Sequence, residues 1–132
     1  MLLLDTHILI WLDQGAELLG KKARQLIENA YHREEIAVAP ISFWEVGMLV
    51  SSGRLLFSGD LSEWRASLLN TGFTEIPADG AVSLVGSSLK NFAGDPADRL
   101  IAATAMASEA RLVTADNNLL ELRGLKTVSG LK

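Results

Sequence analysis

The stretch "LLLDTHILIWL", residues 2–12, sets a single carboxylate, Asp5, between two strongly apolar runs. A charge in that setting is costly unless it is paired, holds a metal ion or caps a following helix. The first part, "LLLD" (2–5), reads as a short buried strand closed by an acid, and the same pattern recurs along the chain. "IAVAP" (36–40), "FTEIP" (73–77) and "RLVTAD" (111–116) are short, apolar and rich in strand formers, and most of them end in Pro or Asp. They predict four strands, with a weaker signal for a fifth near Thr127 and Val128. Between them the apolar spacing becomes helical: Ala23, Leu26, Ile27 and Ala30; then Leu61, Trp64 and Leu68; then Val82, Val85 and Leu89. Gly53 follows "WEVGMLVSS" and Gly72 follows "EWRASLLNT", each where a helix would stop. Strands alternating with helices predict the α/β class, with a mostly parallel sheet of four to five strands covered on both faces.

Composition narrows the function classes. A chain of 132 residues predicts one domain, 1–132, large enough to bury a core. The apolar fraction is 48% and the mean hydropathy +0.23, yet no run reaches the roughly 18 uncharged residues of a membrane helix. No basic segment precedes the first apolar stretch and no small-residue cleavage site follows it, so a cytoplasmic protein is expected. The absence of cysteine excludes disulfides, zinc-thiolate sites and thiol catalysis. A net charge of -4 provides no broad basic surface, so contact with nucleic acid has to rely on local patches or bound cations.

Sheet topology gathers the acids. In a parallel α/β sheet each helix starts at the edge where the preceding strand ended. Asp5 ends the first strand, and Glu45 falls in the first turn of the helix after "IAVAP". Asp98 falls in the first turn of the helix before "RLVT", and Asp116 follows the last strand. All four belong on the carboxyl edge, where two unit charges about 4 Å apart repel by roughly 4 kcal/mol at an effective dielectric near 20. Something positive is needed among them. With no Cys and only His7 and His32 available, an all-oxygen set suits Mg2+ or Mn2+. Asp5, Glu45, Asp98 and Asp116 are the candidate ligands, and a cation held among them would acidify a bound water. Thr6 and Thr114 each neighbour a proposed carboxylate and are expected to orient it or a metal-bound water.

Each acid also has a structural reading. "SFWE" (42–45) fits a capping box with Glu45 reaching back to the Ser42 N–H, and in "DPAD" (95–98) Asp95 fits an N-cap before Pro96 and Asp98. Asp95 and Arg99 stand at ion-pair spacing, Asp116 fits the cap of a short helix through "NNLLEL" (117–122), and Thr6 fits the cap of the first helix. His7 reads as structural. Trp11, Trp44 and Trp64 read as core or subunit contacts rather than base-stacking platforms. Lys21, Lys22 and Arg24 read as a solvated helix face, able to meet RNA phosphates.

Taken in order, "DTHILIW", "SFWEVGML" with the following "GRL", "DPADRLIAATA" and "LVTAD" resemble the PIN-domain family, in particular VapC-type toxins of bacterial toxin-antitoxin pairs. The resemblance runs from about Leu3 to Asp116. It implies an α/β/α sandwich and a Mg2+- or Mn2+-dependent endoribonuclease site in which Asp5, Glu45, Asp98 and Asp116 match the family's four acids and Thr114 its Ser/Thr. Asp95 belongs to the "DPxDR" form of a subset, which implies a share for it in metal binding, and Asn91 stands near where that subset often has a histidine. The resemblance further implies that Asp5, Asp98 and Asp116 hold the cation, which neutralises charge on the scissile phosphate, and that Glu45 orients or deprotonates the attacking water. RNA as substrate, a cognate antitoxin and a homodimer are likewise implied. The antitoxin would lay apolar side chains along the early helices and place a basic side chain among the acids. Arg99 or the basic cluster would assist RNA binding. Two alternatives belong to other classes. One is a catalytically silent module of this kind that binds RNA or protein. The other is a Mg2+-dependent phosphatase with an aspartyl nucleophile, which would want a second Asp where this chain has His7.

Overall fold

The computed structural model describes residues 1–132. Five strands form one parallel sheet: β1 (Leu2–Leu4), β2 (Ile36–Val38), β3 (Thr74–Glu75), β4 (Arg111–Thr114) and β5 (Thr127–Ser129), in the order β3-β2-β1-β4-β5. β1 lies at the centre, with Leu3 facing Ala37 on one side and Leu112 on the other. Seven helices cover the sheet: α1 (Thr6–Gln14), α2 (Lys21–His32), α3 (Pro40–Ser51), α4 (Leu61–Asn70), α5 (Gly80–Ser87), α6 (Pro96–Ala107) and α7 (Asn117–Leu120). The weak fifth strand signal is therefore real.

Alternation along the strands divides the core into two layers. Leu2, Leu4, Val38 and Val113 join Ile8, Leu9, Ala23 and Ile27 of α1 and α2 on one face. Leu3, Ala37 and Leu112 join Ile101, Ala102 and Ala105 of α6 on the other. Small residues on α6 let it lie close to the sheet. Burying a Leu or Ile side chain contributes about 1.5–3 kcal/mol, so these paired layers are the main source of stability. No helix is long and apolar enough to cross a membrane.

Several local expectations shift. Leu89 lies beyond the end of α5. "IAVAP" yields a strand only to Val38, and Pro40 opens α3 at its first helical position instead of closing β2. Ser42 is consequently inside the helix, its N–H donating to Ala39 O, so "SFWE" is not a capping box and Glu45 lies past the first turn. "DPAD" does form the reciprocal box, with Asp95 Oδ1 accepting from Asp98 N at 2.8 Å and Asp98 Oδ2 from Asp95 N at 3.3 Å. Gly53 and Gly72, at φ +76° and +120°, follow α3 and α4 as expected. The cap of α1 is Asp5, not Thr6.

Candidate active site

β1 delivers Asp5 to the carboxyl edge at the centre of the sheet, 1% exposed. Its Oδ1 accepts from Thr6 N at 2.8 Å and so caps α1, and its Oδ2 accepts from Thr114 Oγ1 at 2.6 Å. His7 Nε2 lies 3.5 Å from the same Oδ2. Both carboxylate oxygens are thus used, and no buried side-chain nitrogen or oxygen in the chain lacks a partner.

Two hydroxyls extend this arrangement to the neighbouring acids. Thr6 Oγ1 lies 2.5 Å from Glu45 Oε1 and 2.9 Å from Ser42 Oγ. Having one proton, it donates to the carboxylate and accepts from Ser42. Thr114 Oγ1 donates to Asp5 and accepts from Asp116 N at 3.1 Å, fixing the turn in which Asp116 Oδ1 caps α7 through Asn118 N. Each hydroxyl thus serves an acid other than its sequence neighbour: Thr6 bonds Glu45 rather than Asp5, and Thr114 bonds Asp5 while taking only the backbone N–H of Asp116. Ser42 is a site residue the sequence reading missed; its signal is the i, i+3 spacing from Glu45, which puts both on one helix face.

Electrostatics joins the remaining acids to Asp5. Asp98 is pushed up to about 7, first by burial and then by the charges of Asp95, Asp5 and Asp116. Glu45 is also raised, chiefly by burial and further by Asp5 and Asp95, while the Thr6 hydrogen bond pulls it back. Five carboxyl groups on one sheet edge sense one another, and no Lys or Arg forms an ion pair with any of them. The acids are not drawn onto a common point: no three acidic or imidazole groups stand at metal-ligating spacing. The donor set nevertheless fits a hard divalent cation, being all oxygen, without thiols and short of positive charge.

Arg99 departs from expectation. It neither pairs with Asp95 nor faces the acids. Its guanidinium donates to the carbonyls of Gly86, Leu89 and Phe92 at 3.2, 3.1 and 2.9 Å and lies over the Phe92 ring. It is a structural clamp on the segment between α5 and α6. Trp11 packs on the core near His7, and Trp64 packs between Phe43 and Phe57 with its Nε1 donating to Asp13. Trp44 and Met48, by contrast, are 61% and 53% exposed on α3 beside Glu45. An apolar cavity of 380 Å³ lies away from the acids, between α1, α2 and α4, lined by Leu9, Leu12, Ile27, Tyr31, Leu68 and Phe73 among others.

Comparison with known proteins agrees with this fold. The PIN domain family model matches residues 2–125. Ribonuclease VapC22 of Mycobacterium tuberculosis (strain ATCC 25618 / H37Rv) is 37% identical over 131 residues, covering 96% of this chain and 95% of its own. Among solved structures, VapBC2 from Rickettsia felis bound to a DNA fragment from its promoter superposes with a TM-score of 0.71 at 18% identity, over 97% of both chains. A toxin-antitoxin complex from Klebsiella pneumoniae superposes with a TM-score of 0.65 at 21% identity, over 97% of this chain and 96% of the other.

Proposed function

This chain belongs to the PIN-domain family, and from that premise we propose that it is a divalent-metal-dependent endoribonuclease acting as the toxin of a toxin-antitoxin pair. The observation that carries the reading is the hydrogen-bonded chain Glu45–Thr6–Asp5–Thr114–Asp116, with Asp98 raised to about 7 beside it and no Lys or Arg paired to any of these acids. A structural role alone gives the caps of α1, α6 and α7. It does not explain why a buried Asp5 and the half-buried Glu45, Asp98 and Asp116 share one edge without positive charge.

Asp5, Asp98 and Asp116 would hold Mg2+ or Mn2+, with Glu45 and Asp95 at the border; such an ion supplies charge neutralisation at the scissile phosphate and acidifies water. The protein's own groups do the rest. Thr114 holds Asp5 with its second oxygen fixed, and Thr6 holds the Glu45 carboxylate at one oxygen, leaving the other free to orient water. Glu45, made more basic by burial, is suited to accept the proton of the attacking water. Phosphodiester hydrolysis by water needs no covalent protein intermediate.

The partner reading has its own support. The apolar cavity between α1, α2 and α4 is suited to side chains of an antitoxin segment along the early helices. An antitoxin Arg among the acids would replace the missing positive charge. Trp44 and Met48, with Leu84 and Val85 of α5, are exposed apolar side chains of the kind a homodimer would cover.

Cleavage of single-stranded RNA with Mn2+, lost in EDTA and in Asp5→Asn, is the expected result. RNA binding without cleavage under any metal would leave a silent binding module instead. Co-expression with the neighbouring short open reading frame, followed by light scattering, should give a complex that no longer cleaves. A strictly monomeric chain with no such partner and no effect on growth would remove the toxin role while leaving the nuclease.

A further inference from the structure

We propose that the cleft between the α5–α6 segment and α7 binds a nucleotide of single-stranded RNA next to the cleaved bond, with Lys90 and Arg123 meeting its phosphates and the Asn91 and Asn118 amides reading its base. The proposal rests on the ribonuclease reading above. The cleft encloses 560 Å³, within the range of about 300–1,000 Å³ typical of small-ligand pockets.

The cleft and the acidic edge share a wall. Gly94 is packed so closely there that a Cβ would stand 2.3 Å from Phe92 Cζ and 3.0 Å from Asp98 Cβ, which puts Phe92, on the cleft lining, next to the segment leading into Asp98. On the other side Asn118, also on the lining, donates its backbone N–H to Asp116 Oδ1 at 2.8 Å. A strand whose phosphate lies at Asp98 and Asp116 therefore has the cleft within reach of its next nucleotide.

The chemistry of the lining suits that occupant. Lys90 and Arg123 are exposed and make no ion pair, the only two ion pairs in the chain being His7–Asp5 and Arg65–Glu75. They are free to pay part of the repulsion between a polyanion and a protein of net charge -4. The side-chain amides of Asn91 and Asn118 are exposed, and each offers both donor and acceptor atoms to a base edge. Glu121, the one acid of the lining, disfavours a phosphate on its side and offers an acceptor to a base amino group.

The wall is preformed. Arg99 clamps the Leu89 and Phe92 carbonyls, Phe92 is 7% exposed, and Asn91 holds φ +56°, a left-handed value that Asn tolerates. A rigid wall loses little entropy when the ligand binds.

Two measurements on the full chain test the idea. In a 15N NMR titration with a mixed-sequence single-stranded RNA octamer, shifts should concentrate at residues 89–93 and 118–123 and at the Asn91 and Asn118 side-chain amides. In cleavage kinetics, Lys90→Ala with Arg123→Ala should raise KM about tenfold or more. It should also reduce the salt dependence by about 1.4 in log–log slope, at roughly 0.7 per single-strand phosphate contact. Asn91→Gly, which keeps the positive φ, combined with Asn118→Ala should change which bonds are cut. RNA-induced shifts that avoid the cleft, or variants with unchanged KM, salt slope and cleavage pattern, overturn the proposal. Cleft shifts in a chain that cleaves no RNA support the cleft and overturn the ribonuclease reading; cleavage without cleft shifts does the reverse.

Discussion

At the level of single residues, Glu45 separates structure from chemistry most cleanly. Because α3 begins at Pro40, Glu45 caps nothing, and its one structural bond is to the Thr6 hydroxyl. Glu45→Gln retains an acceptor for that hydroxyl, so the melting temperature should hardly move while RNA cleavage falls by about 100-fold or more, the usual weight of a general base. Unchanged cleavage would remove Glu45 from the chemistry. Asp98 gives a pH signature. Its carboxyl is raised from 3.8 to about 7 in the folded protein, so between those values the folded state binds more protons than the unfolded one. That contribution to stability is fully present below the unfolded value and is lost as pH rises through about 7. In metal-free protein, Asp98→Asn should therefore raise the melting temperature relative to the parent more at pH 8 than at pH 5, read by thermal scans in EDTA. An equal effect at both values would mean that burial and the neighbouring acids do not raise Asp98.

At the scale of elements, what a strand end or a helix start dictates locally holds, and what depends on the path of a distant segment does not. Asp5, Thr6, Thr114 and Asp116 were legible because a strand ending in an acid places it on the sheet edge whatever the details of packing. "DPAD" was legible because Asp95, Pro96 and Asp98 satisfy one local geometry together. "SFWE" was misleading because two helix starts compete there, and Pro40 with its preset φ begins the helix before Ser42 can cap it. Arg99 was misleading for a different reason. Its i, i+4 distance from Asp95 is local, while the carbonyls of Gly86, Leu89 and Phe92 that it serves are presented by a segment whose path sequence spacing does not reveal. Three carbonyls on one guanidinium make Arg99 a staple between α5 and α6. Arg99→Ala should cost about 1.5–3 kcal/mol in urea denaturation, the range for hydrogen bonds to a charged group. Amide exchange should quicken most at residues 86–94. A loss confined to activity, with stability and exchange unchanged, would return Arg99 to the RNA-contacting role its sequence position suggests.

At the scale of the whole molecule, the sheet spends stability to assemble its acids. Two apolar layers hold β1 central, and the caps of α1, α6 and α7 bring Asp5, Asp98 and Asp116 onto one edge with no Lys or Arg partner. A protein so arranged is most strained when metal-free and fully ionised, and a cation that binds only the folded chain should relieve it. At 100 times its dissociation constant such a ligand adds about 2.7 kcal/mol, or roughly 10 °C in melting temperature for a domain of this size. Millimolar Mn2+ or Mg2+ added to chelator-stripped protein should therefore raise the midpoint by that order. The rise should be larger at pH 8 than at pH 6, because below about 7 the cation competes with a proton on Asp98. Asp5→Asn should abolish most of it. Ca2+ should give part of the shift with little cleavage, since it tolerates looser geometry than Mg2+. A chain whose midpoint ignores Mn2+ at both pH values would not be using these acids to hold metal, and its RNA chemistry would have to be sought elsewhere.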